Sequence, residues 1–194
     1  MGRLQCYEQR NESQLFLENY INTLRENKLF TTDTDEDILK KNIIFINDTL
    51  GYNRINDLFN AADLYISPYL AEGFNLTVLE ALSSGLPVLV PTTGSTVEYI
   101  NDISNEFSDY IIKLNSKVVT NPPPDNKSQN SYELDDLCNT LINNKDKINR
   151  MKNGRYNKFS ELTKFIEKEY SWNTVSNLLY NHLKSLIKRY NDVF

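Results

Sequence analysis

Two glutamates, Glu72 and Glu80, stand eight positions apart, and the residues between them combine a glycine turn with the start of a helix. A turn that leads into a helix N-terminus presents free backbone N–H groups and the positive end of the helix dipole, both of which suit a phosphate. Carboxylates accept hydrogen bonds from hydroxyl groups. Because a phosphate beside a polyol describes a nucleotide sugar, the segment predicts a site for that class of ligand.

Taken alone, two glutamates at this spacing are more simply explained as solvated acids on either side of an ordinary turn. The surrounding pattern favours a site. Leu64–Ser67 predicts a buried strand that Pro68 ends, Leu76–Ser84 predicts a helix that Gly85 stops, and Pro87–Val90 predicts the next strand. Ligands of open α/β sheets bind beyond the carboxyl ends of the strands, which is where the first glutamate falls.

The rest of the chain continues the alternation of strands and helices. Further strands are predicted at Ile43–Ile46, Tyr110–Ile112 and Lys117–Val119, and further helices at Leu15–Leu29, Ile55–Ala62 and from Tyr132 to the end. The fold class is therefore α/β: a Rossmann-like parallel sheet with helices on both faces, closed by C-terminal helices. We predict a single domain over 1–194, divided into an N-terminal helix and acidic loop (12–42), an α/β donor-binding core (43–120), a Pro/Asn loop (121–131) and C-terminal helices (132–194).

Composition excludes several classes of function. A net charge of −5 and an isoelectric point near 5.0 argue against nucleic-acid binding, which needs a basic face. Cys6 and Cys138 lie far apart and outside any zinc-ligand spacing, so neither a disulfide framework nor a metal site is predicted. No apolar run approaches the roughly 18 residues of a transmembrane segment, and the polar start is not a secretory signal. The expected location is the cytoplasm.

The motifs closely resemble the nucleotide-sugar-binding C-terminal half of retaining GT-B glycosyltransferases. The glutamate pair resembles their Glu-x7-Glu motif. The segments that carry the resemblance are Ala62–Tyr69, Glu72–Glu80, Ala81–Val88, the glycine loop Thr93–Thr96 and the aromatic-Ser-Trp start of a closing helix, Tyr170–Trp172. The resemblance covers about residues 38–185 and is most specific over 62–100.

The resemblance implies a role for each site residue. Glu72, the catalytic candidate, would contact hydroxyls of the donor sugar, Thr77 would add a contact to the phosphates, and Glu80 would hold the ribose hydroxyls. Backbone amides facing the sugar and diphosphate would come from Gly73, Phe74, Asn75 and Leu76. No metal and no other cofactor is implied, since helix dipole and basic side chains stabilise the leaving diphosphate. Retention would proceed by front-face attack through an oxocarbenium-like transition state.

Two parts of that family have no counterpart in this sequence. These are the N-terminal acceptor domain and the opening strand-loop-helix, whose Arg and Lys hold the diphosphate. Only Arg3 and Arg10 precede Ile43 as weak candidates. The sequence therefore predicts part of a hexosyltransferase, with a UDP- or GDP-linked donor, that needs an acceptor domain from elsewhere or self-associates through its last helix. Whether this chain is active without such a domain is left open. The alternatives are a non-catalytic binding or interaction module and, more weakly, a sugar-nucleotide epimerase fragment.

Overall fold

The computed structural model describes residues 12–27, 37–38, 41–44, 46, 48–120, 127–154 and 159–191. The chain divides into two compact units, residues 1–51 and 52–194. The first unit contains helix α1, Glu12–Glu26. The second contains the sheet and the other helices. Each unit is compact separately, and the single domain predicted over 1–194 stays a prediction.

Three parallel strands form the sheet of the second unit. They are β1 (Tyr65–Ile66), β2 (Val88–Pro91) and β3 (Ile111–Leu114), in that spatial order. Tyr65 pairs with Val88, and Val88 with Ile111. All four residues of the central strand β2 are buried, as expected of a parallel strand with both faces covered by helices.

The remaining elements follow the predicted alternation. The helices are α2 (Tyr52–Ala61), α3 (Leu76–Ser83), α4 (Val97–Phe107), α5 (Leu134–Asn143), α6 (Lys145–Gly154), α7 (Phe159–Tyr170) and α8 (Trp172–Asn191). A 3₁₀ turn, Ser108–Tyr110, precedes β3. Strands β4 (Lys117–Thr120) and β5 (Ser128–Ser131) form an antiparallel pair. None of the helices in the described ranges is long and apolar enough to cross a membrane.

Two apolar clusters cover the two faces of the sheet, because successive strand residues point to opposite sides. Val88, Val90 and Ile111 belong to the larger cluster, with residues of α3, α4 and α7. Leu89, Ile112 and Leu114 form the smaller one, against partly buried residues of α5 and α6. The predicted Rossmann-like parallel sheet with helices on both faces is thus confirmed, and so are the helices at the C-terminal end of the chain.

The predicted strand at Ile43–Ile46 is wrong for the residues that the structure describes there. Ile43, Ile44 and Ile46 are neither helical nor extended in a ladder, and the side chain of Ile44 is 84% exposed. An apolar run becomes a strand only when a neighbouring strand supplies its hydrogen bonds. No pairing of these three residues occurs.

The predicted Pro/Asn loop also needs a correction, because its last four residues form β5 and pair with β4. Residues 121–126 of that loop lie outside the described residues. Residues 28–36 of the predicted N-terminal helix and acidic loop (12–42) also lie outside the described residues, as do Arg3 and Arg10.

Candidate functional site

The loops that follow the three strands are bonded to one another at the carboxyl edge of the sheet. The phenol of Tyr69, after β1, donates to the carbonyl oxygen of Thr93 (3.2 Å) and lies 2.9 Å from the hydroxyl of Thr96, both after β2. The hydroxyl of Thr93 lies 2.7 Å from that of Ser116, after β3. The loops at the edge predicted to bind a ligand are therefore held together by a network of polar side chains.

Asn130 of β5 joins two of these loops, although the sequence gave no reason to single it out. Its side chain is buried; Nδ2 donates to the carbonyl of Tyr69 (3.3 Å), and Oδ1 accepts from the hydroxyl of Thr93 (3.0 Å). Its backbone N–H donates to the carbonyl of Leu70 (2.6 Å). Asparagine is abundant throughout this chain, so no pattern marked this one, whose hydrogen-bond partners lie 37 to 61 positions earlier in the sequence.

Asn75 shapes the start of α3. Its backbone is left-handed (φ 63°, ψ 61°), a conformation that asparagine adopts more readily than other non-glycine residues. Its buried side chain donates to the hydroxyl of Ser67 (2.9 Å) and accepts from that of Thr77 (2.8 Å). Its carbonyl accepts from the N–H of Val78 (3.1 Å) and the phenol of Tyr99 (3.2 Å). The turn is therefore held from three directions.

This arrangement leaves the N-terminus of α3 without a side-chain cap. Asn75 occupies the capping position, but its side chain makes no capping hydrogen bond, and no acidic residue stands in the first turn. The first N–H groups of the helix are those of Leu76 and Thr77, and an uncapped helix N-terminus of this kind suits an anion through its free N–H groups and its dipole.

Substitutions at position 75 test this description of the turn. Asn75→Gly should lower the free energy of unfolding by about 1–2 kcal/mol, because two side-chain hydrogen bonds are lost while the backbone conformation remains accessible. Asn75→Val should cost about 1–2 kcal/mol more, since a β-branched residue is strained at positive φ. Urea unfolding followed by circular dichroism measures both.

Asn139 is the control position, because it is exposed in the middle of α5. There the valine variant should be more stable than the glycine variant, since glycine weakens a helix more than valine does. Equal stability of the two position-75 variants would contradict the left-handed turn.

The predicted site residues occupy this turn and the first turns of α3. Glu72, Gly73, Phe74, Leu76, Thr77 and Glu80 are all exposed, and only Asn75 is buried. The hydroxyl of Thr77 donates to Asn75 and accepts from the phenol of Tyr65 (2.9 Å). Its hydrogen is thus already used, so in this conformation a phosphate contact from Thr77 would come from its backbone N–H.

Glu80 lines a cavity of about 490 Å³, here named the Glu80 cavity. One face of α3 forms one wall, and the end of α7 with the start of α8 forms the other. The lining residues are Phe74, Leu76, Leu79, Glu80, Ser83, Ile166, Tyr170, Trp172 and Val175. The walls are largely apolar, and their polar side-chain groups are the Glu80 carboxylate, the hydroxyls of Ser83 and Tyr170 and the indole N–H of Trp172. Such a lining suits a ligand with a flat apolar part next to hydroxyl groups.

A second cavity of about 400 Å³, the Tyr99 cavity, lies on the other side of the turn and shares Phe74 and Tyr170 with the first. Its remaining lining residues are Gly73, Gly94, Ser95, Glu98, Tyr99 and Asp102. The rings of Phe74 and Tyr99 are 5.2 Å apart, and those of Tyr99 and Tyr170 are 6.2 Å apart. Glu72 is not among the lining residues of either cavity.

The phenols of the Tyr99 cavity stay protonated at neutral pH. Burial raises the pKa of Tyr99 well above its usual value, and the charge of Glu72 adds to the effect. Burial and then the nearby carboxylate of Asp102 raise the pKa of Tyr170 to about 12, and its phenol donates to that carboxylate (3.4 Å). Sequence reasoning missed Tyr69 and Tyr99, because the tyrosines are spread along the chain with no regular spacing.

Charge at the site is negative or neutral in the part of the chain that the structure describes. No Lys or Arg lines either cavity. Among the same residues, no group of three or more His, Cys, Asp or Glu is placed to hold a metal ion. Basic residues of the kind that the resembled family uses to hold the diphosphate are therefore not found among the described residues that line these two cavities.

The chain is similar in sequence to parts of several glycosyltransferases. The chain is 31% identical over 99 residues to the GtfA subunit of the UDP-N-acetylglucosamine–peptide N-acetylglucosaminyltransferase of Streptococcus agalactiae, covering 50% of this chain and 17% of that protein. It is 38% identical over 79 residues to the UDP-Gal:alpha-D-GlcNAc-diphosphoundecaprenol alpha-1,3-galactosyltransferase of Escherichia coli, covering 40% and 18%. It is 35% identical over 68 residues to the lipopolysaccharide core biosynthesis mannosyltransferase LpsB of Rhizobium meliloti, covering 35% and 18%.

The aligned part is thus less than a fifth of each of these relatives. No solved structure matches the chain. The family model described as glycosyl transferases group 1 matches residues 2–116, which is more than half of the chain and includes β1, α3, β2 and β3. This chain belongs to the glycosyl transferases group 1 family.

Proposed function

We propose that this chain is the part of a glycosyltransferase that binds the nucleotide-sugar donor, and that transfer proceeds with retention and without a metal ion. One observation carries the proposal: Asn75 holds an uncapped helix N-terminus between two exposed carboxylates, Glu72 and Glu80. Such an N-terminus binds phosphate, and carboxylates bind sugar hydroxyls. A cytoplasmic location without a nucleic-acid partner belongs to the same proposal.

The donor would lie along the start of α3. Its diphosphate would accept hydrogen bonds from the N–H groups of Leu76 and Thr77. Glu80 stands four residues further, about 6 Å along the axis at 1.5 Å per residue, so it would accept hydrogen bonds from the ribose hydroxyls. The base would then enter the apolar Glu80 cavity. The sugar would lie on the other side of the turn, near Glu72, Gly73 and the Tyr99 cavity.

In the proposed reaction the bond between the anomeric carbon and the diphosphate breaks while an acceptor oxygen bonds to the same face of that carbon. The acceptor proton passes to the departing diphosphate. Positive charge that develops on the sugar ring would be stabilised by Glu72, and negative charge on the diphosphate by the α3 dipole. Since neither cavity has a basic lining residue in the described part of the chain, further stabilisation would come from an acceptor domain.

The absence of Lys and Arg from the described lining of both cavities also supports a second candidate, a binding module without catalysis. The two candidates share the donor site and differ in turnover. A third reading, an epimerase fragment, would change the sugar without any acceptor. Incubating the chain with a donor and separating the products tests them. Transfer or hydrolysis supports the first candidate, and an altered but intact nucleotide sugar supports the third. An unchanged donor contradicts the third and is expected both of the second candidate and of the first without its acceptor domain.

Calorimetric titration tests the donor site. UDP and its sugars come first, because two of the relatives are named for UDP-linked sugars, and GDP compounds follow. Glu80→Gln keeps the shape of the side chain and removes its charge, so it should weaken binding by about 10- to 100-fold, the usual worth of a hydrogen bond to a charged group. Repeating the titration with a chelator tests the independence from metal ions.

Glu161→Gln is the matched control, because this glutamate is also exposed but lies on α7 outside both cavities. It should leave the affinity unchanged. If no nucleotide binds to the folded chain, or if Glu80→Gln binds as tightly as the native chain, the proposed donor site is wrong.

A further inference from the structure

The segment that follows β1 is held in place by β5 and the residue after it. Three consecutive carbonyl groups of this segment, those of Pro68, Tyr69 and Leu70, each accept a hydrogen bond from there. Asn130 supplies two of the donors, its side-chain amide for Tyr69 (3.3 Å) and its backbone N–H for Leu70 (2.6 Å). The phenol of Tyr132 supplies the third, for Pro68. The segment is thus fixed at three successive peptide groups.

The two donor residues are themselves fixed. Asn130 is only 3% exposed, lies opposite Val118 in the pairing of β5 with β4, and accepts a hydrogen bond from the hydroxyl of Thr93 (3.0 Å). The ring of Tyr132 packs against the smaller apolar cluster on the sheet. Because neither residue is free to follow a moving partner, both act as anchors for the carbonyl groups that they bind.

The turn beyond these anchors has little support of its own. In the part of the chain that the structure describes, residues 71–74 are exposed and make no hydrogen bond with another residue. Phe74 contacts the ring of Tyr99, close to the end of the turn that Asn75 holds. Glu72 lies nearer the other end, which β5 holds. A segment with so few contacts takes its position from its ends, so the position of Glu72 depends on β5.

We propose that Asn130 and Tyr132 are positioning residues of the donor site, which set where the Glu72 carboxylate stands relative to the N-terminus of α3. The inference rests on the proposed function, in which Glu72 binds the sugar while the start of α3 and Glu80 bind the nucleotide diphosphate. These two parts of the site have separate supports. Asn75 holds the nucleotide part, and β5 holds the sugar part. Loosening the β5 anchors should therefore weaken the contribution of the sugar and spare that of the nucleotide.

Calorimetric titration of the full chain with a nucleoside diphosphate and with its sugar tests the inference. UDP is compared with UDP-galactose and UDP-N-acetylglucosamine, and GDP with GDP-mannose if the uridine compounds do not bind. Asn130→Asp replaces the donating amide by an oxygen that repels the carbonyl of Tyr69. We expect it to weaken binding of the nucleotide sugar up to about tenfold, within the range for a buried carbonyl left without its donor, and to change binding of the diphosphate less than about twofold. Tyr132→Phe keeps the ring, removes one donor and should act in the same direction.

Asn144→Asp is the matched control, because this amide also donates to a backbone carbonyl, that of Thr140 (2.8 Å), but lies outside both cavities. It should leave both affinities unchanged. A double-mutant cycle with Glu72→Gln identifies the path. If Asn130 acts through Glu72, Asn130→Asp should weaken sugar binding less than about twofold further once that charge is removed. Equal weakening of diphosphate and nucleotide sugar, or additive effects in the cycle, would show a role in stability alone and overturn the inference.

A glutamate-specific protease gives a measurement that needs no donor. Cleavage after Glu72 requires the residues on both sides to leave their anchors, so Asn130→Asp should speed it about tenfold and Asn144→Asp should not. Circular dichroism checks that each variant is folded. Equal cleavage rates in the two variants would overturn the inference, whereas the proposed function would stand if the native chain binds the donor. If the native chain binds no nucleotide, the proposed function fails, and the cleavage rates still decide whether β5 holds the turn.

Discussion

Gly94→Ala is expected to lower the free energy of unfolding by about 2–4 kcal/mol, through backbone strain and overpacking together. Gly94 has a φ of +96°, which an L-amino acid with a side chain rarely adopts. A Cβ at this position would lie 2.6 Å from Nδ2 of Asn130 and 2.9 Å from the phenol oxygen of Tyr69. Neither neighbour moves easily, because both are bonded to the loops at the carboxyl edge.

Urea unfolding followed by circular dichroism measures the effect, with Gly51→Ala as the control. A Cβ at Gly51 would have no atom within 4 Å, and the φ of Gly51 is not positive, so its variant should stay within about 0.5 kcal/mol of the native chain. A Gly94 variant as stable as the control would show that the contacts around Asn130 are not those described. Because Gly94 also lines the Tyr99 cavity, a folded variant should bind the donor more weakly.

Leu162→Ala should cost about 2–5 kcal/mol, the range for deleting a large buried aliphatic side chain and leaving a cavity. Leu162 of α7 is fully buried within the larger apolar cluster, which also contains Leu79 and Leu82 of α3. The same contacts hold α3 in place. Loss of this side chain should therefore loosen the helix whose N-terminus forms the proposed donor site.

The matched control for the core variant is Leu134→Ala, which removes the same atoms from a side chain that is 67% exposed. It should change stability by less than about 0.5 kcal/mol. Thermal or urea unfolding of both variants gives the comparison. Equal loss of stability would mean that α7 does not pack against α3 as described.

Local chemistry was sufficient to predict the elements around the glutamates. Pro68 follows β1 closely, the predicted helix Leu76–Ser84 is observed as α3, and Gly85 adopts a φ of +70° at its end. There the N–H of Leu86 donates to the carbonyl of Ala81 (3.0 Å), a helix stop that glycine allows. Proline, glycine and apolar runs act through their own backbone, so neighbouring residues suffice to predict their effect.

The strand predicted at Ile43–Ile46 and the loop predicted over 128–131 failed for the opposite reason. Whether a segment is a strand depends on a partner that supplies hydrogen bonds, and that partner is remote in sequence. Polar Ser128–Ser131 has such a partner in β4, whereas the described residues of the apolar run Ile43–Ile46 have none. The apolar composition of a run indicates burial, but whether the run forms a strand depends on a pairing partner that is remote in sequence.

Residue types and spacing by themselves determined the α/β class, the glutamate pair and the helix start between them, since all of these are features of adjacent residues. The tertiary structure alone decided how the turn is held. Asn75 meets Tyr99, Asn130 joins the loops of Tyr69 and Thr93, and Phe74 contributes to two cavities. It also decided that α8 is exposed from Val175 to Tyr190. These contacts join residues far apart in the chain, and no local pattern records which distant side chains meet.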